Sequence, residues 1–214
     1  IKSARMGHDV VMTPGNYMYF DFYQADPKTQ PYAIGGYTPI KKVYSYNPIP
    51  VDSLTAEESK HIMGVQANTW TEYIPNEQHL EYMMFPRALA LAEIAWSPQE
   101  KREWNDFKPR MNAHISKLQQ MGINTFTLSD ELEVTMKVDT VSKQIEVYLD
   151  AEKYPAEIRY TTDGTVPTAS STVYDGMIQV KDSAYIKAAI FSNGQLQGTP
   201  TEKKVDYHRA INKP

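Results

Sequence analysis

Two short strings stand out for the chemistry their residue types allow, Tyr19-Phe20-Asp21 and Trp70-Thr71-Glu72. Each follows a short apolar run and sets an aromatic residue two positions from a carboxylate. In extended chain, residues i and i+2 face the same way, so each string presents one ring beside one acid. Such a pair suits a sugar, because the ring stacks on the C–H face of a pyranose while the acid accepts hydrogen bonds from hydroxyls. Spacing alone equally allows core aromatic residues flanked by surface acids.

Other chemistries find less support. The five histidines, His8, His61, His79, His114 and His208, include no pair at the i, i+4 spacing of a helical zinc site, so no metal or other cofactor is expected. Asp130-Glu131 is the only Asp-Glu dipeptide. Two carboxyl groups can flank a glycosidic bond, but this pair lies where helical texture gives way to strands and reads as a solvated linker. Gly35-Gly36 and Asp163-Gly164 lack the spacing of a phosphate-cradling loop and read as turns. No Gly-x-Ser-x-Gly elbow occurs, so a serine nucleophile of the esterase type is not expected.

The elements that must hold the two strings come in order. His8–Pro14 is an apolar run stopped by proline, the pattern of a buried parallel strand. Residues 23–50 form a long excursion rich in Tyr, Pro and Gly, of a length that is uncommon without a function. Thr55-Ala56-Glu57-Glu58 has capping-box spacing and predicts a short helix. His61–Ala67 is a second short strand leading to Trp70. Pro86–Trp96, apolar almost all round, predicts a buried helix or helix-to-strand passage. Ser97-Pro98-Gln99-Glu100 predicts another capping box. Phe107, Met111, Ile115, Leu118 and Met121 mark one face of an amphipathic helix, with Gly122 where a C-terminal cap belongs.

Beyond Leu128 the period changes from helical to alternating. Strands are expected over Leu132–Val138, Gln144–Leu149, Glu157–Thr161, Val173–Val180, Ala184–Phe191 and Lys204–Tyr207. Asp163-Gly164 and Asn193-Gly194 supply turns, and the whole suggests a small antiparallel sandwich.

The 214 residues suffice for one large domain or two modest ones, and an apolar content of 41% is that of a globular protein rather than a disordered one. The net charge of −4 excludes a general phosphate-binding surface, so no nucleic acid is expected. With no cysteine there is neither a disulfide nor a thiolate site, and no apolar run is long enough to span a membrane. The chain opens on Ile1 rather than Met, which predicts a piece of a longer or processed polypeptide.

At these residues the sequence resembles the C-terminal part of a family 20 glycoside hydrolase, a β-N-acetylhexosaminidase of the chitobiase-like kind. The resemblance rests on Tyr19-Phe20-Asp21, on Gly64-Val65-Gln66 leading into Trp70-Thr71-Glu72, and on Pro86-Arg87-Ala88-Leu89-Ala90-Leu91-Ala92-Glu93 with Trp96-Ser97. Trp104, Phe107, Arg110 and Leu118 are similar to the closing helix of the family's barrel. In the second half, Ile158-Arg159-Tyr160-Thr161-Thr162-Asp163-Gly164-Thr165-Val166-Pro167-Thr168 resembles the small β-domain behind it. The resemblance implies an α/β portion, the C-terminal part of a (β/α)8 barrel over 1–128, followed by an all-β, Ig-like antiparallel β-sandwich over 129–214.

It further implies that the substrate's own acetamido carbonyl attacks the anomeric carbon, with configuration retained. Tyr19 would donate a hydrogen bond to that carbonyl, Trp70 would wall the sugar, and Asp21 and Glu72 would hold its outer hydroxyls. The family's Asp-Glu acid pair lies earlier, in a His-x-Gly-x-Asp-Glu context that does not occur here, so the 214-residue chain alone is expected to be inactive. The implied partners are N-acetylhexosamine-containing glycans, the remaining N-terminal part of the polypeptide, and another copy through open barrel edges. Secretion or a periplasmic location is what the family implies. The alternative is a non-catalytic carbohydrate-binding or structural module.

Overall fold

The structure, a computed structural model, describes residues 1–50 and 52–211. The chain divides into two units, Ile1–Thr127 and Leu128–Pro214.

In the first unit α1 (Lys2–Arg5) precedes β1 (Val10–Met12), and α2 (Gly15–Met18) follows. Further along come α3 (Ile40–Tyr44), α4 (Ala56–Ser59), β2 (Ile62–Val65), α5 (Glu77–Met84), α6 (Arg87–Trp96) and α7 (Trp104–Gln120). Strands β1 and β2 pair in parallel, with Val10 opposite Ile62 and Met12 opposite Val65. Burial falls short of the expectation, since Val11 is 50% and Met63 66% exposed. Pro14 ends the strand as expected and occupies the N-cap of α2. After that single turn the chain rejoins its partner. Asn68 N–H donates to Met18 O at 2.8 Å and Phe20 N–H to Asn68 O at 2.7 Å. The interrupted ladder therefore carries both candidate strings past each other.

Cap chemistry decides the helix ends. Thr55 and Glu58 form both arms of a capping box, at 3.2 and 2.8 Å. The box expected at Ser97 does not form. Ser97 closes α6 by donating its N–H to Glu93 O, Pro98 takes the cap position, and only a 3-10 turn follows at Gln99–Lys101. In α7, Phe107, Met111 and Ile115 are buried. Gly122 ends that helix at φ +83°, its N–H on Gln119 O and that of Ile123 on Leu118 O, the two bonds of a Schellman motif. Helix α6 is less buried than expected. Arg87, Ala90 and Ile94 are inside, whereas Trp96 is 89% exposed. The long excursion is not wholly irregular, because α3 lies within it and packs on α6 through buried Ile40, Val43 and Tyr44.

The second unit runs β3 (Glu133–Asp139), β4 (Gln144–Asp150), β5 (Glu157–Thr161), β6 (Thr172–Val173), β7 (Ile178–Val180), β8 (Ser183–Ser192), β9 (Gln195–Asp206) and α8 (Tyr207–Ile211). These build two antiparallel sheets, β3-β4-β7 and β6-β5-β8-β9. Ile145, Val147 and Leu149 from the first sheet join Ile158, Ile186 and Ile190 from the second in one buried cluster. The strand expected over Val173–Val180 is instead two strands in different sheets. Gly176 at φ +126° breaks it, and the Tyr174 hydroxyl accepts from Leu149 N–H at 3.0 Å at the crossover. The last strand starts at Gln195 rather than Lys204, and Tyr207 opens α8. Asn193 and Gly194, both at positive φ, make the type I′ hairpin between β8 and β9.

Asp130 is no free linker acid, since Lys153 Nζ lies 2.5 Å from it. Among the described residues no helix is long and apolar enough to cross a membrane. Because its core is its own, Leu128–Pro214 expressed alone should give a well-dispersed amide NMR spectrum. Poorly dispersed, molten-looking signals would show that this unit depends on the first.

Candidate active site

The parallel passage of Tyr19 beside Asn68 sets the site. Tyr19 leaves α2 with extended backbone, at φ −92° and ψ 104°, so Tyr19 and Asp21 fall on one side as the i, i+2 rule requires. Trp70 and Glu72 follow Asn68 directly. All four of these residues line one open cleft of about 460 Å³, together with Phe22, Ile34, Gly35 and Gly36. Tyr19 is half-buried, Glu72 is exposed and Trp70 is 54% exposed. The ring and the acid of each string therefore share an accessible space of the size that small-molecule sites occupy.

Asp21 differs from the surface acid that spacing alone allowed. It is 5% exposed and its Oδ1 has no hydrogen-bond partner in the protein. Burial raises its carboxyl pKa above the usual aspartate range. Its own backbone N–H and the Arg87 cation pull the other way, Glu72 pushes it further up, and the Trp70 N–H lowers it. A carboxyl group held in this balance is a potent acceptor for a ligand hydroxyl that can replace lost water.

Arg87, quoted above only as part of an apolar helix, is fully buried beneath Asp21. Its guanidinium donates to the carbonyls of Met83 at 2.5 and 3.1 Å, Phe22 at 2.9 Å and Thr38 at 3.1 Å, and also to Phe20 O. Phe20 and Phe22 flank Asp21 in the chain, so one side chain pins the backbone on both sides of the acid. Burial lowers the Arg87 pKa to about 9, which leaves it a cation at neutral pH.

The long Tyr-rich loop supplies the far wall. Gly36, at φ +66°, lies so close to Phe22 that a Cβ there would come within 2.2 Å of the ring. A Gly-Gly pair in such a loop signals close approach as well as a turn, and that signal was available in the sequence. Tyr32, Tyr73 and His79 continue the surface past Glu72 into a groove of about 410 Å³. Of the loop tyrosines, Tyr44 belongs to the core, stacked 4.6 Å from Phe107, and Tyr46 packs 5.0 Å from Tyr17.

Residues 1–99 match the catalytic domain of glycosyl hydrolase family 20, and residues 136–202 match the chitobiase/beta-hexosaminidase C-terminal domain. Over residues 1–99 the chain is thus similar to glycosyl hydrolase family 20 catalytic domains. Among curated relatives, the beta-hexosaminidase of Porphyromonas gingivalis is 35% identical over 196 residues, covering 91% of this chain and 25% of the relative. The beta-hexosaminidase of Akkermansia muciniphila is 34% identical over 53% of this chain and 22% of its own. Among solved structures, the family 20 exo beta-N-acetylglucosaminidase of Vibrio harveyi, in complex with N-acetylglucosamine, is 32% identical with a TM-score of 0.53. That likeness covers 59% of this chain and 20% of the other. The chain thus spans about a quarter or less of the length of these relatives.

Proposed function

We propose that this chain is the C-terminal part of a β-N-acetylhexosaminidase and that it supplies one wall of the sugar pocket. The observation that carries the reading is the meeting of Tyr19, Asp21, Trp70 and Glu72 in one cleft from strings 51 residues apart, at the ends of two parallel strands. Active sites of (β/α)8 barrels gather at the C-terminal ends of such strands, and the helices after them fit the last units of a barrel followed by a β-sandwich. The solvent-facing Val11 and Met63 on the strand pair suit a sheet that the remaining barrel would cover.

In this reading Trp70 stacks on the acetamido sugar, while Asp21 and Glu72 accept hydrogen bonds from its outer hydroxyls. Tyr19 donates its O–H to the acetamido oxygen and keeps it aimed at the anomeric carbon. The acid that protonates the leaving oxygen comes from the Asp-Glu pair of the preceding barrel segment. The isolated 214-residue chain should therefore bind N-acetylglucosamine weakly and not turn over 4-nitrophenyl N-acetylglucosaminide. In an NMR titration, added sugar should shift the Trp70 indole and the amides around Asp21, and Trp70→Ala should abolish those shifts. Shifts elsewhere only would refute the cleft as the sugar site, and clear turnover would place the acid within these residues.

A further inference from the structure

Asp21 Oδ1 shares its unpaired condition with one other buried atom of the same wall, His79 Nε2. His79 sits in the first turn of α5, where its backbone N–H is taken by Asn76 Oδ1 at 2.8 Å. Its ring packs edge-on 6.3 Å from Tyr82, and burial lowers its pKa, favouring the neutral imidazole. Asp21 and His79 both line a small chamber of about 10 Å³ behind the cleft, with Ala33, Ile34 and Met83 among its apolar walls. That volume is about one water. Leaving either atom without a partner would be costly, and native interiors pair nearly all such atoms with protein or with an ordered water.

We propose that a single buried water bridges Asp21 Oδ1 and His79 Nε2, and that His79 is thereby a positioning residue for the Asp21 carboxylate. The water donates one hydrogen to the ionised carboxylate. It meets Nε2 with its other hydrogen or with its oxygen, according to the imidazole tautomer. The other groups able to compete are Glu72, Tyr32 and Tyr73 in the chamber lining, Arg87 below Asp21, and Tyr82 beside His79. Arg87 is committed to backbone carbonyls, and Glu72 as a carboxylate has no hydrogen to give. The bridge itself needs no sugar. Its effect on sugar binding rests on the hexosaminidase reading above.

A high-resolution crystal structure of the 214-residue chain should show one water within about 3.2 Å of both atoms. A dry chamber, or a direct contact between the two side chains, would overturn the bridge. The positioning role is read from the carbon-13 titration of Asp21. His79→Phe keeps a ring and removes both nitrogens, so the Asp21 midpoint should rise as the carboxylate loses its donor. His79→Gln restores a polar end and should return the midpoint toward that of the parent chain. If His79→Phe fails to fold, the His79→Gln midpoint and the parent crystal structure still decide. An unchanged midpoint in a folded His79→Phe chain would overturn the role. N-acetylglucosamine affinity should fall about tenfold in His79→Phe, a single such linkage, and should fall no further when the change is made in an Asp21→Asn chain. Additive losses would make His79 merely structural. A bridged water with the expected midpoint shifts in a chain that ignores the sugar would sustain this inference and sink the hexosaminidase reading.

Discussion

Arg87→Met should destabilise the first unit by about 3–5 kcal/mol, among the largest losses any single substitution can cause here. Methionine fills much of the space of the arginine stem but donates nothing. The carbonyls of Phe20, Phe22 and Thr38 would each lose a charge-assisted hydrogen bond in a site that water does not reach. Each orphaned acceptor costs about 1–3 kcal/mol, partly offset by the removal of a buried cation. The guanidinium also lies 4.8 Å over the Phe20 ring, a contact that vanishes with it. Arg87→Lys should be nearly as damaging, because one ammonium cannot span carbonyls on three separate segments. Chemical denaturation should show the first-unit transition moving while that of the second unit stays put. Without the cation the Asp21 carboxyl should titrate higher still. The sign follows: with its folded pKa above the unfolded one, Asp21 holds more protons folded than unfolded, so its contribution declines as pH rises through that window. A loss below about 1 kcal/mol would show that the three carbonyls find other donors.

Tyr19→Phe in the full-length hexosaminidase from which we propose this chain comes should lower kcat by about 10²–10³ with little change in KM, by analogy with removal of one oxyanion-hole donor. The substitution keeps the ring, which packs 5.5 Å from Phe22, and deletes only the hydroxyl. In the proposed mechanism the donor would hold the acetamido oxygen in line as it closes on the anomeric carbon, so the hydrogen bond would matter most in the transition state. Trp70→Ala should behave otherwise. It removes half-exposed surface that, in the proposed reading, would contact substrate and transition state alike, and should damage KM and kcat together. A near-normal kcat for a folded Tyr19→Phe enzyme would return Tyr19 to the role of a packing residue.

Features that depend on a few neighbouring residues were legible in the sequence. The Thr55–Glu58 box, the Gly122 helix end and the Asn193-Gly194 hairpin each follow from local cap or turn chemistry, and all three are present. Aromatic and acid at i, i+2 indicated which side chains would share a face, and both strings do open on one cleft. The same local rules misread Ser97, because a residue that could start one helix was already needed to finish another. They also misread Val173–Val180, where an apolar run continues through a glycine that sends its two ends to different sheets.

By itself the sequence determined the family resemblance, the order of helical and alternating segments, and the residue types able to meet a sugar. Only the tertiary structure decided that Asp21 is buried, that Arg87 lies beneath it and that His79 stands behind it. Apart from Met83, four residues back, the partners of Arg87 lie 49, 65 and 67 residues away in the chain. No periodicity reaches that far. An arginine at the head of an apolar helix reads as a surface charge until the packing of α6 against α3 and the loop at Phe20–Phe22 closes water out around it, and desolvation then obliges each of its donors to find a carbonyl.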